Sequence, residues 1–213
     1  PSAEFFTEEM QKLGINQDSA IVVYDYVGVY SSPRAWWMFR AMGHNQVAVL
    51  DGGLPAWKKA GHACGAVAET IARKRGDFVS HPQEGMFVNS EYVHKALSDP
   101  AFSVVDARSE GRFKGQEPEP RAGLRGGHMP NAVNIHFADL VVDGFVLQPE
   151  SLKSIFAKKV NNDQQLIFSC GSGVTACVDA LAAELAGYTK LTIYDGSWSE
   201  WGLESLGLPV TKE

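Results

Sequence analysis

Leu166-Ile167-Phe168-Ser169-Cys170-Gly171-Ser172-Gly173-Val174-Thr175-Ala176-Cys177-Val178-Asp179-Ala180-Leu181-Ala182-Ala183-Glu184-Leu185 changes character twice along its length. An apolar run of strand length gives way to a loop punctuated by glycine, and the loop opens a helical pattern. Strand, tight loop and helix in that order form the unit of an α/β fold with a parallel sheet. The loop begins with a cysteine. Backbone N–H groups and the positive end of the helix dipole converge on such a position and favour a thiolate over a thiol. Cys170 therefore reads as a nucleophile, against the ordinary alternative of a buried structural thiol.

The same succession occurs earlier in the chain. Asp51-Gly52-Gly53-Leu54-Pro55-Ala56-Trp57 returns as Asp195-Gly196-Ser197-Trp198-Ser199-Glu200-Trp201, an offset of 144 residues. At that offset Ala41-Met42-Gly43-His44 meets Leu185-Ala186-Gly187-Tyr188, and Ala20 to Tyr24 meets Gln164 to Phe168. Register kept through three elements marks a duplication rather than a common turn met twice. The expected architecture is α/β, with two units that are each a parallel sheet flanked by helices. Tyr26 stands opposite Cys170, and the first loop, Asp25 to Arg34, holds no cysteine, so the first unit reads as a structural partner. The proposed division is residues 1–62, a linker over 63–85, and a catalytic unit over 86–213. Gly65, Gly76, Pro82 and Gly85 and the basic run Arg73-Lys74-Arg75 give the linker the composition of a solvated surface strap.

The second copy has elements with no counterpart in the first. They are a helix near Ser90 to Leu97, a strand over Phe102 to Asp106 and a strand through Ala132 to Ile135, all upstream of the helix Leu152 to Phe156. In the first copy the matching helix, Phe5 to Leu13, already stands at the start of the chain. Roughly 55 to 60 residues of the first unit are thus expected to lie outside this chain, leaving that sheet incomplete with an unpaired edge.

Composition sets outer bounds. A 213-residue chain with 45% apolar and 21% charged residues is an ordinary globular protein large enough for one big or two small cores. A net charge of −6 argues against a general nucleic-acid or anionic-membrane surface. No apolar stretch reaches the ~20 residues of a membrane span, and Pro1-Ser2-Ala3-Glu4-Phe5 has no signal-peptide character. Three cysteines without CxxC spacing favour a reducing compartment, read as the cytoplasm. Six scattered histidines show no metal-ligand spacing, so neither metal nor cofactor is expected.

Asp106-Ala107-Arg108-Ser109 marks a strand end of the kind where parallel sheets build sites. A long loop follows, from Arg112-Phe113 through Glu117-Pro118-Glu119-Pro120-Arg121 to Gly127-His128-Met129-Pro130. Arg112 and Arg121 suit a planar carboxylate; the alternative is that they pair with Glu117 and Glu119 or stay solvated. Cys177 reads either as a core residue or as a disulfide partner for Cys170.

These motifs, with Ser31-Ser32-Pro33-Arg34-Ala35-Trp36-Trp37-Met38-Phe39-Arg40 and Tyr194 to Trp201, resemble the tandem-domain sulfurtransferases of the rhodanese superfamily, above all the branch acting on 3-mercaptopyruvate. The likeness covers nearly the whole chain and implies two rhodanese-like domains, the first incomplete. Asn131 stands where the family has glycine, and Asn tolerates the left-handed conformation that glycine serves. The resemblance implies that Cys170 takes sulfur from 3-mercaptopyruvate as a persulfide, releases pyruvate, and passes the sulfur to a thiol such as thioredoxin or to cyanide. It assigns substrate binding to Arg112 and Arg121 and cradling of the persulfide to the backbone from Gly171 through Ser172, Gly173 and Val174 to Thr175. It further offers Ser172 for proton transfer, with acid–base partners that relatives carry in the segment absent here; that segment is a possible partner of this chain. Thiosulfate-specific relatives carry basic residues directly after the cysteine, where this chain has Gly171 and Ser172. Related cysteine phosphatases need an arginine where Ala176 stands. The remaining alternative is a catalytically silent binding module.

Overall fold

The structure, a computed structural model, describes residues 1–65 and 74–213. Helix α1 (Ala3–Lys12) starts where the Ser2 hydroxyl accepts from the Phe5 amide at 3.2 Å, a side-chain cap on an otherwise orphaned donor. Strands β1 (Ile21–Val23) and β2 (Val47–Val49) pair in parallel as a two-stranded sheet, joined by helix α2 (Ser32–Ala41) and followed by α3 (Gly53–Lys59). Phe6, Phe39, Met42 and Phe78 form a small aromatic core beside them. Phe78 is fully buried, its ring edge-on to Phe6 at 5.9 Å, and Gln11 Nε2 donates to its carbonyl at 2.8 Å. The stretch expected to run as a surface strap thus plugs this core with one aromatic residue. Its residues 66–73, Arg73 of the basic run included, lie outside the described residues.

The rest of the chain builds one sheet. In order come β3 (Phe87–Val88), α4 (Ser90–Ala96), β4 (Phe102–Asp106), α5 (Glu110–Lys114), β5 (Val133–Asn134), the small antiparallel pair β6 (Val141–Val142) and β7 (Phe145–Val146), α6 (Pro149–Phe156), β8 (Gln165–Ser169), α7 (Ala176–Leu185), β9 (Leu191–Tyr194) and α8 (Ser197–Trp201). The strands lie parallel in the order β3-β9-β8-β4-β5. The strand expected over Phe102 to Asp106 is observed with those bounds; the one expected over Ala132 to Ile135 is shorter.

Strand β8 is central and buried on both faces, which is why its sequence is continuously apolar rather than alternating. Its side chains still divide by the two-residue period of a strand. Leu166 and Phe168 join the core with Val105 and Leu152, whereas Ile167 turns to Val104, Tyr194, Trp198 and Trp201 on the other face. Asn131 adopts φ 63°, as its place before β5 requires, and its side chain donates to the Leu97 carbonyl at 2.9 Å.

The two sheets meet through helices α2 and α7. Trp36 and Trp37 of α2 share a core with Cys177, Ala180 and Ala183 of α7, and Arg40 pairs with Glu184, the residue 144 positions later. The small side chains of α7 permit this close approach.

Asp179 also lies on α7, fully buried, and neither carboxylate oxygen has a hydrogen-bond partner among the described residues. Burial drives its carboxyl far above the usual range, with Cys170, Asp106 and Asp139 adding to the rise. An unsatisfied buried polar group costs about 1–3 kcal/mol, so Asp179→Val should stabilise the protein by roughly that amount. The folded state keeps this proton where the unfolded chain has lost it. Asp179 therefore opposes folding increasingly as pH rises above about 4, the value of a free aspartate. Urea unfolding should show the gain of Asp179→Val widening from pH 5 to pH 8; a constant gap would mean that Asp179 stays ionised.

Candidate active site

Strand β8 ends at Ser169, and Cys170 to Thr175 turn the chain into α7. Gly173 takes φ 76°, and a Cβ there would sit 2.9 Å from the Asp195 carbonyl, so glycine alone fits. The loop is stitched to the turn after β9. The Cys170 amide donates to Ser197 Oγ at 3.2 Å, while the Cys170 and Gly171 carbonyls accept from Trp198 and Ser199, both at 2.9 Å. From the first unit, Arg34 Nη1 bonds Asp195 at 2.6 Å and donates to the Gly173 carbonyl at 3.3 Å, bracing the loop from behind.

Cys170 is only 2% exposed, yet it forms the floor of a cavity of about 390 Å³. The Ser172 amide donates to Cys170 Sγ at 3.5 Å. The amides of Gly171, Gly173, Val174 and Thr175 hydrogen-bond to no acceptor among the described residues. A turn that brings successive N–H groups together at a helix N-terminus is an anion-binding concavity, and here its donors are unused.

The corresponding turn of the first unit is filled in part from within. Asp25 Oδ2 accepts from the amides of Tyr30, Ser31 and Ser32 at 2.9, 2.9 and 2.7 Å, and Ser31 Oγ donates to Oδ1. Burial alone would raise the Asp25 carboxyl; the hydrogen bonds from Ser31, Ser32 and Tyr30 outweigh it and hold it below its usual value. One copy of the loop carries its own anion, and the other is open to one from outside.

Three arginines approach the cavity and differ in what they can offer it. Arg108 is buried, bonded through Nε and Nη2 to Asp106, through Nη1 to Glu119 at 2.7 Å and through Nη2 to the Gly127 carbonyl at 2.7 Å, and it lies 4.0 Å above the Trp198 ring. Arg112 is engaged by Glu119 as well, through Nη2 at 2.6 Å and Nε at 3.3 Å, leaving Nη1 without a partner among the described residues. Asp106 and Glu119 thus offset the charges of Arg108 and Arg112, and the uncompensated positive charge is that of Arg121. Arg121 is exposed on the cavity wall, with Nη1 donating to the Gly171 carbonyl at 3.2 Å. Of the two readings of Arg112 left open by the sequence, its pairing with Glu119 is what the structure contains; the same pairing aims the free edge of its guanidinium.

The cavity brings together Cys170, Gly171, Ser172, Val174, Thr175, Arg112 and Arg121, with Gly173 behind it as the loop's hinge. Tyr30, from the first unit, and His136 and Phe137, after β5, line it too. No spacing in the sequence marks these three. The available signal was position: His136 follows the carboxyl end of a parallel strand. Cys177 is fully buried and donates to the Gly173 carbonyl at 3.4 Å, and burial pushes its thiol up to about 12. All three cysteines are free.

A family model described as the rhodanese-like domain matches residues 1–60 and 89–204. Human 3-mercaptopyruvate sulfurtransferase is 43% identical over 223 residues, which take in all of this chain and 72% of that protein. Rat thiosulfate sulfurtransferase is also 43% identical, over 206 residues that cover 94% of this chain and 69% of that protein. The crystal structure of SseA from Escherichia coli, titled as a 3-mercaptopyruvate sulfotransferase with the rhodanese fold, superposes with a TM-score of 0.82 at 36% identity, covering 94% of this chain and 74% of that one.

Proposed function

The chain belongs to the rhodanese-like family and is one of its sulfurtransferases, and from that premise we propose that it takes sulfur from 3-mercaptopyruvate through a persulfide on Cys170. The observation that carries this reading is the contrast between the two loops: amides filled by Asp25 in one unit, and free amides around Cys170 in the other. The Cys170 thiolate attacks the substrate's sulfur, a sulfur–sulfur bond forms, the carbon–sulfur bond breaks, and pyruvate leaves. The N–H groups from Gly171 to Thr175 then stabilise the anionic persulfide, donors already in position before the reaction. A thiol acceptor, thioredoxin among the candidates, or cyanide removes the outer sulfur. The proposed setting is the reducing cytoplasm; no described helix is long and apolar enough to cross a membrane. The proposed organisation remains a first unit over 1–62 and a catalytic unit over 86–213.

Sequence identity does not choose the donor, since relatives named for each are equally similar. The loop favours the carboxylate donor. Gly171 and Ser172 bring no cation beside the sulfur for a compact dianion, whereas Arg121 and the free edge of Arg112 suit a carboxylate set back from the reacting atom. Pyruvate release from 3-mercaptopyruvate, measured beside thiocyanate formation from thiosulfate and cyanide, tests the choice. Faster use of thiosulfate would overturn the donor, and inactivity with both would favour a silent binding module.

Arg121→Lys should lower kcat/KM for 3-mercaptopyruvate about 10- to 100-fold, the loss of one charge-assisted hydrogen-bonded contact, with unfolding unchanged because the side chain is exposed. An unaltered KM would remove Arg121 from the substrate site.

A further inference from the structure

Breaking the carbon–sulfur bond leaves an electron pair on C3 of pyruvate, and the resulting enolate must receive a proton before it departs as the ketone. Few groups around Cys170 can give one near neutral pH. Guanidinium groups do not deprotonate in proteins, which excludes Arg108, Arg112 and Arg121. Glu119 is engaged by Arg108 and Arg112. A phenol is a weak acid, with an ordinary pKa of about 10, and serine and threonine hydroxyls are weaker acids still.

His136 remains. It lines the cavity that holds Cys170, and it also lines a larger one, of about 810 Å³, over the outer edge of β5. Its ring stands edge-on to Phe137 at 5.1 Å, and neither nitrogen has a hydrogen-bond partner among the described residues. Phe137 in turn meets Tyr30 edge-on at 5.6 Å, so the imidazole is held by apolar contact with both nitrogens uncommitted. Imidazole is the side chain whose protonation changes near neutrality. The second cavity is also lined by Asp139, the Glu110–Lys114 pair, Lys158 and Lys159. That cavity gives the ring a route to bulk water by which to regain a proton.

We propose that His136 is the general acid of the donor step. The step balances as follows. The Cys170 thiolate forms the new sulfur–sulfur bond, the substrate's S–H proton stays on the outer sulfur, the carbon–sulfur electron pair passes to the enolate, and the imidazolium proton moves to that enolate. The products are pyruvate, neutral His136, which takes its next proton from solvent, and a persulfide whose S–H proton then passes to solvent, leaving the anion that the loop amides hold. The assignment rests on the proposed donor and goes beyond it by naming the proton source within this chain.

The test is single-turnover pyruvate release by wild type, His136→Gln and His136→Ala, with sulfur transfer from thiosulfate as the comparison, because sulfite leaves without needing a proton. General acid catalysis predicts that both variants release pyruvate about 10² to 10⁴-fold more slowly than wild type. Added imidazole should restore part of the rate in His136→Ala, and any turnover of thiosulfate should be unchanged. Wild-type rates in His136→Gln, or an equal loss with both donors, would overturn the role of His136. Absence of pyruvate release from the wild-type protein would instead overturn the donor assignment on which it stands.

Discussion

Arg108→Met is expected to destabilise the protein by about 3–5 kcal/mol, the cost of leaving buried charges without their partner. The Arg108 side chain is 1% exposed and those of Asp106 and Glu119 are each 2% exposed. Its three nitrogens serve Asp106, Glu119 and the Gly127 carbonyl together, and its planar face rests on Trp198. Methionine replaces the aliphatic stem and some of the contact with the indole but none of the donors. Asp106, at the end of β4, then loses its only cationic neighbour within bonding distance among the described residues, and Glu119 is left to Arg112 alone. The loop from α5 to β5 is tied to the sheet by these contacts, so its anchoring of Arg112 should fail with them. Arg108→Lys should recover little, because one ammonium cannot span two carboxylates and a carbonyl. Denaturant unfolding of both variants measures the effect; a loss below about 1 kcal/mol in Arg108→Met would show that the buried cluster contributes little net stability.

Cys170→Ser should abolish sulfur transfer, lowering turnover by at least about 10⁴-fold, as loss of a nucleophile does elsewhere. A serine hydroxyl is not ionised near neutrality and forms no persulfide analogue, so the amides around it would have no anion to hold. Mass spectrometry after exposure to the donor should show one added sulfur atom on the wild-type chain and none on the variant. Cys177→Ser supplies the contrast. That thiol is buried, raised to about 12 and bonded to the Gly173 carbonyl, and so should neither carry sulfur nor join Cys170 in a disulfide under mild oxidation. Sulfur appearing on Cys177 or on the exposed Cys64 while Cys170→Ser stays active would move the chemistry elsewhere.

Much of the architecture was legible because it is written in local pattern. The apolar run at Leu166 to Phe168, the strand at Phe102 to Asp106 and the helix after Thr175 are each specified by local apolar pattern, with Gly171 following the first and Gly187 following the third. The 144-residue offset sets α2 opposite α7 in the sequence, and in the structure the two helices meet through Arg40 and Glu184. Phe78 shows where local pattern misleads. It lies in a polar, glycine-bearing stretch that reads as solvated, yet burial of one aromatic side chain against Phe6 and Phe39 ties the stretch down.

The sequence alone settled the α/β class and the place of Cys170 between a strand and a helix, because both depend on residues close together in the chain. The use made of the charges around that cysteine was decided only by tertiary structure. Glu119 divides itself between Arg108 and Arg112, Arg34 reaches Gly173 across 139 residues, and Asp25 accepts from amides of one loop while amides around Cys170 stay open. A hydrogen bond or ion pair depends on ångström-scale proximity in a desolvated setting, and chain spacing carries no record of which distant side chain will arrive there first.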